Sequence, residues 1–365
     1  MTAEASGPAP APSASDHLRN HTPESLAAAR KDLNLEPGLA NRIVTRLVAQ
    51  DRDDLDGVRG LSREAARSLL AAARTTRLEV LDRRRSAVDP FVKYLFRSGG
   101  ESFETVRIPL QKPRWSVCVS SQAGCALACS FCETGRIGFT RNLEAWEMIE
   151  QVLTVRREGP ERPVTSVVFQ GQGEPFQNYE QVIRAARILQ HPCGGRIRGQ
   201  NITISTVGIL PMIERYTAEG HVYRLILSLT SAFDDRRSRL MPVGRRYAVG
   251  DLVSAMRRHA EARGDRVNLA WVLISGINTG EDEAEELARL FRGVPLRLSV
   301  IDVNDATGLF RRATDAERGG FFSALARRGI GFIRRYSGGP DIHAACGMLA
   351  SRTHGGDPLG APPAG

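Results

Sequence analysis

Long apolar runs are missing from this 365-residue chain: no stretch of about 18 or more uncharged apolar residues occurs, which excludes a membrane-spanning helix. Residues 1–16 are rich in Ala, Pro and Ser but lack a basic start followed by an apolar stretch. They read as a disordered tail and not as a secretory signal. Cysteine is scarce too; six residues are too few for a disulfide scaffold. Lysine is almost absent, since 47 of the 50 basic residues are Arg. What is present is ordinary globular usage, 42% hydrophobic and 25% charged, which excludes whole-chain disorder and a fibrous protein.

The net charge of +9 is unevenly spread: residues 18–97 hold 16 Lys and Arg against 11 Asp and Glu. A basic appendage suits a polyanionic partner such as nucleic acid. A general arginine bias explains the same numbers, so charge alone leaves both readings open. Residues 22–86 read as helical, with Leu26, Leu33, Leu39, Ile43, Leu47, Leu55, Leu61, Leu69 and Leu78 spaced for buried faces. Leu55-Asp-Gly-Val-Arg-Gly60, followed by Leu61 and Ser62, has the look of a helix-hairpin-helix in which Ser62 caps the second helix. Such a hairpin presents N–H groups to phosphates, although short helical pairs are common without that role.

From about residue 104 strands and helices alternate. Strands are expected at Ser116–Ser121, Val164–Gly171, Asn201–Val207, Tyr223–Thr230, Arg266–Ile274, Leu296–Asn304 and Ile330–Tyr336. Helices are expected near 143–157, 179–190, 210–219, 247–263, 281–292 and 315–328, with Thr314 and Glu317 at capping-box spacing. This order predicts an α/β chain with a parallel sheet and helical crossovers, best described as a partial (βα)6-type barrel. The expected layout is a tail at 1–17, a helical accessory domain at 18–97, a core at 98–349 and a second tail at 350–365.

Gly124-Cys-Ala-Leu-Ala-Cys-Ser-Phe-Cys132 follows the first core strand and has C-x3-C-x2-C spacing. Three thiolates from one loop suit three corners of a cubane cluster, leaving the fourth iron open. A structural zinc site is the competing reading, but it needs a fourth ligand that nothing nearby supplies at finger spacing. Ordinary [4Fe–4S] electron-transfer centres likewise use four Cys. Downstream, Gly171-Gln-Gly-Glu-Pro175 begins like a dinucleotide fingerprint but has Phe176 where the third glycine belongs, so a Rossmann site fails.

These two motifs together resemble the radical S-adenosylmethionine (SAM) superfamily. The resemblance narrows to the RlmN/Cfr family of radical SAM RNA adenine methyltransferases. It rests on Cys118-Val-Ser-Ser-Gln-Ala-Gly-Cys125 through Cys132, Gly138-Phe-Thr-Arg-Asn-Leu143, Gly171–Pro175, Ile204–Pro211, Leu227-Ser-Leu-Thr230 and Asp341-Ile-His-Ala-Ala-Cys346-Gly-Met-Leu349. It implies a radical SAM barrel with a [4Fe–4S] cluster on Cys125, Cys129 and Cys132. For SAM it implies Gly173, Glu174, Ser205, Ser228, Leu229, Thr230 and Asn304. It further implies two SAM per turnover, an external one-electron reductant such as flavodoxin, cytoplasmic ribosomal or transfer RNA as substrate, and no membrane.

In the implied chemistry Cys346 first receives a methyl group, and a 5′-deoxyadenosyl radical then removes hydrogen from it. The resulting carbon radical adds to C2 or C8 of adenine, Glu104 takes a proton, and Cys118 releases product as a disulfide forms. Radical addition suits an adenine ring carbon that is no nucleophile for direct polar transfer, and the cofactor supplies that difficult step. Without the family, Cys118 and Cys346 read as buried small hydrophobes, the commonest state of free Cys, and Cys193 matches no family position. Thr230 replaces a usual His, Gln172 a usual Met, and Asp302-Val-Asn-Asp305 a usual Pro-Trp-Asn-Pro, while Glu133-Thr-Gly-Arg136 also departs. These departures raise two alternatives: radical methylation of a peptide or small molecule, and a non-catalytic metal-binding RNA module.

Overall fold

The computed structural model describes residues 16–305 and 307–350. Apart from Asp16, His17 and Ala350, both expected tails lie outside the described residues. The strands are β1 (Glu79–Arg85), β2 (Val92–Ser98), β3 (Glu101–Pro109), β4 (Trp115–Val119), β5 (Gln122–Gly124), β6 (Phe139–Asn142), β7 (Val164–Phe169), β8 (Ile202–Thr206), β9 (Arg224–Ser228), β10 (Val267–Leu273), β11 (Leu296–Asp302) and β12 (Gly331–Arg334). Ten of them form one sheet in the order β1-β2-β3-β4-β7-β8-β9-β10-β11-β12, and β5 pairs with β6 in a small hairpin. From β4 to β12 every neighbour is parallel. The sheet is open, with β1 and β12 at its edges.

The parallel part follows from its sequence. Each crossover is a helix whose apolar stripe has helical period; Tyr179–Gln190 buries Tyr179, Val182, Ile183, Ala186 and Leu189. Strands buried on both faces read as near-continuous apolar runs, as in Val-Thr-Ser-Val-Val-Phe of β7. Asp315–Arg327 starts at the expected capping box, with Thr314 Oγ1 accepting from Glu317 N at 3.2 Å and Thr314 N donating to Glu317 Oε2 at 2.8 Å.

The N-terminal region corrects the sequence reading. Helical structure ends at Ala72, and 79–98 forms β1 and β2, which pair antiparallel with β3 and β4. The physical reason is the pair Gly99-Gly100, with φ of 58° and 85°, which closes a two-residue hairpin between Ser98 and Glu101. β1 is an edge strand dressed in charge, Asp82-Arg-Arg-Arg85, and that charge disguises it as a solvated helix face. A domain boundary after residue 97 therefore falls inside the β2–β3 hairpin. The helix-hairpin-helix region has Pro37–Val44 and Arg63–Ala72 as its helices, with Ser62 Oγ accepting from Ala65 N at 3.0 Å.

The N-terminal helices dock on the crossover helix Ala145–Glu158. His17 stacks on Trp146 with ring centroids 4.3 Å apart, and Trp146 N donates to Asn20 Oδ1 at 2.7 Å. Fully buried Arg19 meets Asp53 at 2.6 Å, Glu150 at 3.3 Å and Asp51 at 3.6 Å. At the far end the chain after β12 folds back across the inner faces of β2 and β3. Asp341 accepts from Ser86 Oγ at 2.7 Å and Ala87 N at 2.8 Å, while Asp89 Oδ2 accepts from Gly339 N and Tyr336 OH, each at 2.8 Å.

Candidate active site

The C-terminal ends of the parallel strands open on a cavity of about 200 Å³. Cys118, Cys125, Cys129, Cys132 and Cys346 all line it. β4 ends at Val119, and the β5–β6 hairpin turns the chain into the cysteine loop. Two glycine positions make that turn possible. Gly124 has φ of 73°, and a Cβ there would lie 1.9 Å from Gly138 O; at Gly135 it would lie 3.0 Å from Cys129 N. Ser130 N donates to Leu240 O at 2.9 Å, fastening the loop to the next wall.

Burial pushes the Cys125 thiol up to about 12 and raises Cys129 and Cys132 as well. A cation on this loop would reverse that preference, because coordination deprotonates the thiol. Among the described residues no three His, Cys, Asp or Glu side chains close on a single point as one ion requires. A cubane instead spreads three thiolates over separate irons, which suits a donor set of three sulfurs on one loop.

The opposite wall offers polar groups at strand ends. Gly173 has φ of 97°, and a Cβ there would meet Gln122 Cβ at 2.6 Å. Buried Glu174 accepts from Phe176 N at 3.0 Å and Val207 N at 2.9 Å. Its pKa is pushed up to about 7 by burial, against these hydrogen bonds and one with Thr206. Ser205 and Ser228 face each other at 3.4 Å. Thr230 lines the cavity with φ of 64°, a strained value for a β-branched residue, and its buried Oγ1 has no partner among the described residues. That orphaned hydroxyl and the glycine cradle fit a small polar ligand. Asn304 lines the same cavity and donates to Ser337 Oγ at 3.3 Å and Cys346 O at 3.4 Å. Leu229 is buried and outside the lining, so the structure does not bring it to the site.

The two remaining lining sulfurs sit beside one residue that motif reading missed. Gln170 donates from Nε2 to Cys346 Sγ at 3.4 Å, and its main-chain N–H serves Cys118. Burial pushes Cys118 up to about 12 and Cys346 up to about 11, while Arg335 acts the other way on both. Cys132 also raises Cys346, and Cys346 raises Cys118. Cys193 packs against the main core and does not line the cavity.

Glu104 is not in the lining. Fully buried on β3, it pairs with Lys93 at 2.7 Å, and Oε2 accepts from Ala350 N at 2.8 Å. Leu349, next to Ala350 in the chain, lines the cavity. The unexpected Gln172 is equally internal, accepting from Glu104 N at 2.9 Å. Arg136 pairs with Glu133 at 2.5 Å and Asp305 at 3.0 Å, joining two further departures to each other. Phe91 also lines the cavity, so the N-terminal extension helps to build it.

Comparison with known proteins adds to this geometry. Residues 119–291 match the Radical SAM superfamily. A probable RNA methyltransferase of Anaeromyxobacter sp. (strain Fw109-5) is 49% identical over 84% of this chain and 99% of its own length. A dual-specificity RNA methyltransferase RlmN of Anaeromyxobacter dehalogenans (strain 2CP-C) is 34% identical over 93% of both chains. Among solved structures, a radical SAM methyltransferase from Sphaerobacter thermophilus is 37% identical, with a TM-score of 0.85 over 92% of this chain and all of that one.

Proposed function

This chain belongs to the radical SAM RNA methyltransferases of RlmN type, and on that premise we propose that it methylates a ring carbon of adenine in RNA through a methylated Cys346. The observation that carries the reading is Gln170, which touches both Cys346 and Cys118 in the cavity that the cysteine loop lines. Cys125, Cys129 and Cys132 would hold the cluster, and Gly173, Glu174, Ser205, Ser228, Thr230 and Asn304 would receive SAM. When bound, these groups supply the methyl carbon and the radical that activates it, with two SAM consumed per turnover.

The residues of the chain do the rest. Cys346 must lose its proton to accept the methyl group, and Arg335 favours its thiolate. After the carbon has joined the base, the Cys118 thiolate attacks the Cys346 sulfur. The sulfur–carbon bond breaks with its electron pair going to carbon, that carbon takes up a proton to become the methyl group, product leaves, and a Cys118–Cys346 disulfide remains for an external reductant to reopen. Glu104 takes the proton from the base only after Ala350 moves off it. Arginines of the N-terminal region contact the RNA in the cytoplasm. Of the departures from family pattern, Gln172 is internal and serves Glu104, and Arg136 joins Glu133 to Asp305, whereas Thr230, Asp302 and Val303 line the cavity.

The test is turnover of cluster-loaded Cys346→Ala and Cys118→Ala proteins on RNA, read by nucleoside analysis. Both variants release no methylated adenine; product from either at the wild-type rate overturns the scheme.

A further inference from the structure

Helix Asp234–Leu240 carries a charge that this chemistry leaves unused. Arg237 is fully buried, yet among the described residues no carboxylate lies within ion-pair distance of it. Its neighbour Arg236 takes the available acids, Asp282 at 2.6 Å and Glu283 at 3.1 Å. Arg237 donates only to uncharged acceptors: Ser228 O at 3.0 Å, Leu229 O at 2.5 Å, Val207 O, and Met241 Sδ at 3.5 Å. Its buried Nε has no hydrogen-bond partner among the described residues. An isolated guanidinium held out of water is expensive unless an opposite charge comes close.

The opposite charge is on the facing wall. Cys129 packs against Leu240 and Met241, and Ser130 N is bonded to Leu240 O at 2.9 Å. The acidic groups that act on Arg237 are Cys129 first and the exposed Asp234 second. The same guanidinium grips Val207 O while Glu174 holds Val207 N at 2.9 Å, so one residue links it to the expected SAM wall.

We propose that Arg237 is the resident counter-cation of the iron–sulfur cluster, placed behind Cys129 to favour the reduced, more negative state while clamping the ends of β8 and β9. The inference rests on the reading of Cys125, Cys129 and Cys132 as cluster ligands. A fixed buried charge acts strongly because little water screens it, and cluster potentials respond to local charge and burial. A purely structural clamp depends on donors to main-chain oxygens; a counter-cation depends on charge.

The experiment uses full-length wild type, Arg237→Gln, Arg237→Lys and Asp234→Asn, loaded anaerobically. Iron and sulfide content are measured first, followed by a reductive titration monitored by electron paramagnetic resonance. Wild type that binds no iron removes the cluster reading itself. With cluster content equal, Arg237→Gln lowers the ratio of reduced to oxidised cluster at fixed ambient potential about tenfold, about 59 mV for a one-electron couple. Arg237→Lys stays near wild type. An unchanged midpoint in Arg237→Gln, or an equal shift in Arg237→Lys, overturns the proposal. If Arg237→Gln does not fold, Asp234→Asn decides. It keeps an acceptor for Val249 N but removes the competing carboxylate, so its midpoint rises; an unchanged or lowered midpoint overturns the proposal.

Discussion

Two large cations lie wholly inside this molecule in opposite company. Arg19, where the N-terminal helices meet the core, is surrounded by Asp51, Asp53 and Glu150. Arg237, beneath the cysteine loop, has main-chain oxygens and no acid. The first arrangement is complete by itself and reads as structure. The second is complete only when something negative arrives, and so marks a place prepared for a ligand. Burial alone does not separate the two; the partners do.

The comparison can be broken from the N-terminal side. The largest effect expected is from deleting residues 1–97. That cut removes Arg19, leaves Glu150 deep in its helix beside Arg157 at 2.5 Å, and strips β2 from β3. The truncated chain should not form a cooperative fold or load iron, as read by circular dichroism and metal content. A folded, iron-loaded fragment would make the N-terminal region a detachable accessory.

A smaller effect is expected from Glu150→Ala, which leaves Arg19 with its two Asp partners. Breaking one partner of a buried pair costs about 3 kcal/mol, measured by thermal or denaturant unfolding of the metal-free protein, with the iron-loaded midpoint potential unchanged. Arg237→Gln should show the reverse ranking.

The smallest effect concerns pH. Burial, aided by nearby Arg19, lowers the His17 pKa from 6.5 to about 4. A histidine kept neutral in the fold binds its proton more readily when unfolded, so stability is full above pH 6.5 and falls as pH drops toward 4. His17→Phe keeps a ring to stack on Trp146 but cannot titrate. Its unfolding midpoint should depend less on pH across that window, and an unchanged slope would assign the acid sensitivity elsewhere, with buried His259, also lowered to about 4, the first place to look.

The parallel half of the fold is legible in the sequence because each element there repeats an apolar period: Tyr179–Gln190 and the capping box at Thr314 stand where the pattern puts them. The antiparallel half is hidden because β1 carries three arginines and an aspartate in a row, although Gly99-Gly100 between Val92–Ser98 and Glu101–Pro109 is a hairpin signal in plain view. Cys125, Cys129 and Cys132 stand out by type and spacing, whereas Cys118 and Cys346 are singled out by the family resemblance alone. Gln170 does not stand out, since a glutamine ending a strand looks like any polar terminator. Arg237 is less visible still: Asp-Asp-Arg-Arg-Ser-Arg-Leu has no apolar period, and its buried face consists of Arg237 and Leu240. Glu104 shows the opposite limit, a carboxylate that sequence assigns to the reaction and that the fold keeps out of the cavity lining, clamped to Lys93 and Ala350.

The most direct test of the account is the mass of the Cys346 peptide from protein purified with SAM present and RNA withheld. The account predicts a peptide heavier by one methylene unit, with the addition on sulfur and absent in Cys346→Ala. An unmodified Cys346 in fully iron-loaded, SAM-supplied protein would contradict it.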